Sequence, residues 1–315
     1  MHDVNIQSGV TAAAGAASWR LKFRAWWDGE EPVSGAALSS PMLGKRAAAA
    51  AADADAAPTT AGWPSARLAL VQQLFGQGMH TPGGAEAVAG LVALLELKPD
   101  SAVLEVGAGL GGVARAVVAT GATIQAFEMD TALVIAANAV SAELDPARPV
   151  EIRQGTYDKL KMPAGTLDAI IAREALLAWP DKSKLLGQFR KLLKPGGKLV
   201  FSDWARTGEP TNPTLSIWSM HEPAEPHLMS VDELKAELED LGFAVEMEDL
   251  SAQYRQWVTS AFAAHAERLV RNPPDQRAQA WAISETEFWT RRISLLQTGD
   301  LAMPRFVATV PAGGR

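Results

Sequence analysis

The chain has 315 residues, enough for one large domain or two small ones, and its 48% hydrophobic and 21% charged residues exclude a wholly disordered or fibrous protein. Its 29 Lys and Arg against 36 Asp and Glu leave a formal charge of −7, which argues against a broad basic face for nucleic acid. With 0 Cys, thiolate zinc sites, thiol catalysis and disulfides are excluded.

Residues 1–62 are rich in Ala, Gly and Ser, with a run from Ala47 to Ala52, and read as an arm or linker, partly disordered. The Ala12–Ala17 stretch has no basic region before it, so no signal peptide is expected and a cytoplasmic location is. Within the arm, residues 19–27 alternate apolar and basic positions, and periodicity leaves strand and helix both open. A basic, Trp-bearing element of this kind suits peripheral contact with a membrane; an arm folded over the protein's own body is favoured, because so short a segment anchors weakly. No apolar run reaches the roughly 18 residues of a spanning helix, since Glu86, Glu96 and Lys98 interrupt the best stretch.

From about residue 85, short apolar runs alternate with helical stretches, the pattern of βαβ units in a mostly parallel sheet. Ser101–Val106 reads as a strand ending in Gly107-Ala-Gly-Leu-Gly-Gly112, with a helix after it. Ala122–Phe127 and Leu167–Ala172 read as further strands. Asp181–Lys194 places Leu185, Leu186, Phe189, Leu192 and Leu193 on one helical face, with Pro195-Gly196-Gly197 as its stop and Lys198–Asp203 as the next strand. Ser230–Glu233 is a capping box opening a helix that ends at Gly242, and Phe243–Met247 alternates like a strand. Ser284–Glu287 reads as a second capping box, starting a helix that runs to Gly299, and Phe306–Val310 closes the chain as a strand. His221 and His227, in a Pro-broken stretch, have no zinc-site register, so no metal is expected.

The chemistry gathers at the glycine turn. Residues without Cβ let a ligand approach the backbone, and the helix start beyond presents free amides. Glu128 lies 21 residues after Gly107 at the end of the next strand, where a carboxylate can accept both hydroxyl hydrogens of an adenosine ribose. A nucleoside-bearing cofactor is therefore expected. Glu105, two residues before Gly107, would repel a pyrophosphate and attract a sulfonium with an ammonium group, so charge favours S-adenosyl-L-methionine over NAD. Glu174, at the end of the Leu167 strand, is placed to accept or steer a proton, although a structural pairing with Arg173 is weighed as evenly. His80 reads as a loop or lid histidine.

Three segments in order, Val103–Gly112, Phe127–Asp130 and Leu193–Asp203, resemble the successive motifs of class I S-adenosylmethionine-dependent methyltransferases. More narrowly, Phe75–Gly84 and Ala172–Leu177 with Asp181-Lys182 resemble small-molecule N-methyltransferases of the phosphoethanolamine type. The resemblance implies a Rossmann-like α/β fold, a mostly parallel seven-stranded sheet with helices on both faces, an N-terminal arm and C-terminal helical additions. It implies a methyltransferase domain over residues 63–315, with a cofactor core at about 85–205 and substrate-side helices and last strands at about 206–315. Glu105 and Gly107 would face the methionine end of the cofactor, Glu128 and Met129 its ribose and adenine, and Thr156 and Tyr157 the adenine amino group, with Gly109 also cofactor-binding. Thr81 would lie in a lid, Arg173 and Glu174 at the transfer site, and Trp63 and Trp179 on the acceptor side, with Glu174 the catalytic candidate. The Tyr and His pair that closes the site in the phosphoethanolamine enzymes falls on Trp63 and Ala178, so phosphoethanolamine itself is doubtful. The expected acceptor is a small molecule or lipid headgroup, with an amine nitrogen as the expected atom. An NAD-dependent oxidoreductase and a non-catalytic cofactor-binding relative stand as rivals; the oligomeric state is left open.

Overall fold

The computed structural model describes residues 62–156, 162–271 and 275–313, so the expectations for residues 1–61 and for Tyr157 lie outside the described residues. The strands are β1 (Ala102–Val106), β2 (Thr123–Glu128), β3 (Ile152–Gln154), β4 (Leu167–Arg173), β5 (Leu193–Ser202), β6 (Ala205–Arg206), β7 (Ala244–Asp249), β8 (Leu301–Ala302) and β9 (Pro304–Thr309). Seven of them form one sheet in the order β3-β2-β1-β4-β5-β9-β7; β6 and β8 pair with each other. The pairings among β1 to β5 are parallel, and β9 runs antiparallel to both of its neighbours.

The helices before the sheet are α1 (Ser65–Phe75) and α2 (Gly84–Ala93); α3 (Gly112–Ala119), α4 (Thr131–Leu144) and α5 (Lys182–Leu192) alternate with the strands. The last third adds α6 (Pro213–Ser219), α7 (Val231–Asp240), α8 (Ser251–Arg271) and α9 (Gln276–Thr298). Strand periodicity sorts β1 between two cores. Leu104 and Val106 join Leu185, Leu186 and Phe189 of α5 and Leu234 and Leu238 of α7. Val103 meets Val88 and Leu91 of α2 and Val113 and Val117 of α3. Burial on both faces explains the nearly unbroken apolar runs of β1 and β4. Each fully buried side chain such as Ile170 or Phe189 contributes about 1.5–3 kcal/mol. Glu105 follows Val103 on the α2 and α3 side, a carboxyl in an otherwise apolar layer.

The expected sheet, with helices on both faces, is present, and the Ser230 capping box forms: Glu233 N–H donates to Ser230 Oγ (3.1 Å) and Ser230 N–H to Glu233 Oε2 (2.7 Å). Three local readings are corrected. The Ser284 box starts no helix: α9 begins eight residues earlier, with the Asp275 carboxylate accepting from Ala278 N–H at 2.7 Å, because the buried stripe already includes Trp281 and Ala282. Helix α5 ends at Leu192, before Pro195, because Leu193 is buried and pairs with Leu167 of β4, so the sheet takes the chain first. The expected strands also missed β3, whose three residues include one buried position, Ile152, too few to show a period. Among the described residues, no helix is long and apolar enough to cross a membrane.

Candidate active site

The end of β1 is where the chain turns back on itself for a ligand. Gly107 and Ala108 both donate backbone N–H groups to the Phe127 carbonyl (2.9 Å each), drawing the turn against the end of β2. Gly107 has φ 72°, and a Cβ there would stand 2.3 Å from that of Ala175; Gly109 has φ 53°, and its Cβ would stand 1.8 Å from His80 Cε1. The His80 imidazole therefore lies directly on the turn. Burial, with the charges of Arg173 and Arg67, lowers its pKa to about 3, so it is neutral at physiological pH. Arg115 of α3 ties the preceding segment down, donating to the carbonyls of Leu110 and Gly78 at 2.8 Å each. Gly109→Ala is expected to cost about 1–3 kcal/mol of strain and to weaken S-adenosylhomocysteine binding roughly tenfold or more, read by calorimetry on protein whose far-ultraviolet dichroism is unchanged.

Glu105 is 3% exposed and its Oε2 has no hydrogen-bond partner. Burial raises its pKa to about 8; the Arg115 charge opposes the rise and the Glu128 charge adds to it. Glu128 stands at the end of β2 with Gly109 N–H on Oε2 and Asp130 N–H on Oε1, both at 2.9 Å. Its backbone carbonyl accepts from Gly155 N–H (2.9 Å), which brings Thr156 beside it, and Met129 projects into solvent at 60% exposure. Glu105, Gly107, Gly109, Glu128, Met129 and Thr156 thus gather at the ends of β1, β2 and β3.

Across the turn, β4 ends in Arg173 and Glu174 follows it. Arg173 donates to the Pro82 carbonyl, holding the segment that bears Thr81. Glu174 is one of only three non-glycine residues with positive φ among the described residues, at 53°. Its backbone N–H donates to the Ser202 carbonyl (2.7 Å), and its Oε2 accepts from the Tyr254 hydroxyl at 2.6 Å, leaving Oε1 buried without a partner. Asp203, at the end of β5, accepts from Leu176 N–H and, at 2.7 Å, from Trp204 N–H, clamping the Glu174 loop to the sheet. Burial lifts its pKa to about 6.

A cavity of about 330 Å³ opens from this point. Its lining takes in His80, Thr81, Asp130 and Glu174, and three indoles, Trp63, Trp204 and Trp289. Two arginines lie over those rings: Arg67 at 4.1 Å from the Trp63 centroid, and Arg292 at 4.8 Å from Trp204. Each is paired with a buried carboxylate, Arg67 with Glu285 and Arg292 with Glu222. Of the two indoles named for the acceptor side, Trp63 lines this cavity, whereas Trp179 lies outside the lining, packed against the core cluster of β4 and β5. Arg67, Tyr254, Glu285, Trp289 and Arg292 were missed in the sequence: on α9 the spacing of Glu285, Trp289 and Arg292 reads as an ordinary buried stripe. Among the described residues, no cluster of three metal-ligating side chains is present.

The strand order, the glycine turn between β1 and α3 and the carboxylate at the end of β2 define an α/β protein built to hold a nucleoside at the carboxyl edge of its sheet. Comparison with known proteins narrows the class. A sequence model of the Methyltransferase domain family matches residues 84–248, over half of the chain, and the chain belongs to that family. Phosphoethanolamine N-methyltransferase 3 of Arabidopsis thaliana is 30% identical over 200 residues, covering 61% of this chain and 39% of that protein. The phosphoethanolamine N-methyltransferase of Triticum aestivum is 33% identical over 141 residues, covering 44% and 28%. The chain thus spans about two fifths or less of the length of these relatives. Among solved structures, phosphoethanolamine N-methyltransferase 2 of Haemonchus contortus, with phosphomonomethylethanolamine and S-adenosylhomocysteine bound, superposes at TM-score 0.65 and 16% identity over 76% of this chain and 56% of that one, a likeness of fold.

Proposed function

We propose that the protein transfers a methyl group from S-adenosyl-L-methionine to an amine of a small molecule or lipid headgroup, with Glu174 meeting the nucleophile. The observation that carries the cofactor is the buried, unpartnered Glu105 oxygen beside the glycine turn: a cationic methionine end supplies the partner it lacks and favours its carboxylate form, whereas a pyrophosphate gives an ionised Glu105 no partner. Gly107 and Gly109 let Ala175 and His80 close on the turn beside it, Glu128 and Met129 with Thr156 are the residues we assign to the ribose and adenine side, and Thr81 lines the adjoining cavity.

The cofactor supplies a methyl that is already activated, so the protein's task is alignment and exclusion of water. Arg173 holds the lid through the Pro82 carbonyl, and the indoles of Trp63, Trp204 and Trp289 wall the acceptor cavity. At about 330 Å³ that cavity is near the small end for ligand sites, which favours a compact amine over a long chain lying wholly inside. An amine must shed a proton to attack, and the free Oε1 of Glu174 is the carboxylate oxygen left to take or steer it. Asp203 is spent on two backbone donors.

Glu174→Gln is expected to lower kcat for methyl transfer to phosphoethanolamine, used as the probe amine with labelled cofactor, by about 100-fold, while S-adenosylhomocysteine affinity stays within roughly twofold. Equal turnover by the variant would remove Glu174 from the chemistry.

A further inference from the structure

We propose that Tyr254 is a positioning residue for methyl transfer: its hydroxyl, donated to Glu174 Oε2, aims the carboxylate so that Oε1 alone is presented to the acceptor nitrogen. The proposal rests on the reading of Glu174 given above. It begins with the backbone. Glu174 sits at φ 53°, a region that residues with a Cβ rarely occupy, with its N–H held by the Ser202 carbonyl, so its main chain is pinned in an uncommon conformation at the edge of the cavity. Pinning the main chain still leaves the carboxylate free to rotate about three side-chain torsions. The Tyr254 contact at 2.6 Å removes that freedom.

The phenol is itself rigid. It is 2% exposed on α8, with the rings of Trp204 at 5.3 Å, Trp289 at 6.2 Å and Trp257 at 6.3 Å between centroids. The cationic Arg292 lies behind the same rings, paired with Glu222, so the ring cluster holds its shape without borrowing the Glu174 carboxylate. Burial and the Glu174 charge hold the Tyr254 hydroxyl well above its ordinary pKa, which keeps it a donor. Here one carboxylate oxygen is held and the other is buried and bare, on a residue that lines the cavity. Asp203, Arg173, Arg292 and Arg305 are among the charged groups around the pair, and none of them is hydrogen-bonded to Oε1.

The chain has 2 Tyr, so in protein labelled at tyrosine Cζ the resonance that vanishes in Tyr254→Phe belongs to Tyr254. That resonance is expected to be displaced from the free-tyrosine position and to move in Glu174→Gln; a resonance indifferent to Glu174→Gln would overturn the proposal. Tyr254→Phe is expected to lower kcat for methyl transfer to phosphoethanolamine about tenfold, as loss of one charge-assisted hydrogen bond implies, with KM and S-adenosylhomocysteine affinity within roughly twofold. Retained affinity shows that the variant is folded. If Glu174→Gln slows transfer and Tyr254→Phe does not, the positioning role falls while the function stands. If Glu174→Gln itself turns over like the wild type, or the wild type methylates no amine, the reading of Glu174 fails and the Tyr254 proposal falls with it.

Discussion

Glu105→Gln is expected to weaken S-adenosyl-L-methionine binding by about 1.5–3 kcal/mol and to abolish most of its pH dependence. The sign follows from burial. In the free protein desolvation raises the Glu105 pKa to about 8, so at pH 7 the group carries about 0.9 of a proton. A cation seated at the glycine turn favours the carboxylate and expels that proton, so affinity rises with pH up to about 8 and levels off above it. Calorimetry at pH 7 in two buffers of different ionisation enthalpy reads the released proton directly; no release, with Glu105→Gln binding like the wild type, would detach Glu105 from the cofactor. Stability of the free protein runs the other way. The folded pKa of about 8 lies above the ordinary 4.5, so unfolding releases a proton between those values. Stability therefore falls as pH rises through that window, at about 1.4 kcal/mol per unit from this group. Asp203, raised to about 6, adds to the fall below that pH, so the wild type and Glu105→Gln should be compared by melting temperature at pH 6 and pH 8. The variant is expected to lose less on going to pH 8.

What could be read in advance was what lies close together along the chain. The β1 turn, Glu105 and Glu128 fall within one βαβ unit, where a strand's length and a helix start fix spacing, and the structure gathers them at one edge of the sheet. Glu174 was legible for the same reason, as the first residue after β4. The acceptor side was not, because its contacts join distant segments. Arg67 and Glu285 are 218 residues apart, and Tyr254 and Glu174 are 80 apart; no local period marks them. The Ser284 capping box failed through a related cause. Ser-x-x-Glu matches a cap in isolation, but Trp281, Ala282, Glu285, Phe288 and Trp289 continue a single stripe, and tertiary packing carries the helix straight through the motif. Glu285 was passed over as a residue inside that box, when it is the buried partner of a residue on α1.

That partnership sets the largest expected change in stability. Arg67→Met is expected to destabilise the protein by about 3–5 kcal/mol, measured by urea unfolding at pH 7, because it strands the Glu285 carboxylate in a site where that side chain is 1% exposed. Arg67 Nε donates to Glu285 Oε1 at 2.5 Å, and Nη1 holds the Gly62 carbonyl at 2.9 Å. The same guanidinium lies over Trp63, whose ring meets His80 at 5.6 Å, so the damage should spread to the cavity wall and the glycine turn. S-adenosylhomocysteine binding is accordingly expected to weaken along with stability. The double variant Arg67→Met, Glu285→Gln separates charge from shape: it removes the stranded charge while an amide can keep the acceptor for Trp289 Nε1, now 3.1 Å from Glu285 Oε2. It is expected to recover more than half of the lost stability and little of the lost binding, since Trp63 still lacks its cation. A single variant losing less than about 1 kcal/mol would mean that water reaches Glu285 and that the pair is a surface contact in energy, whatever its burial in the fold.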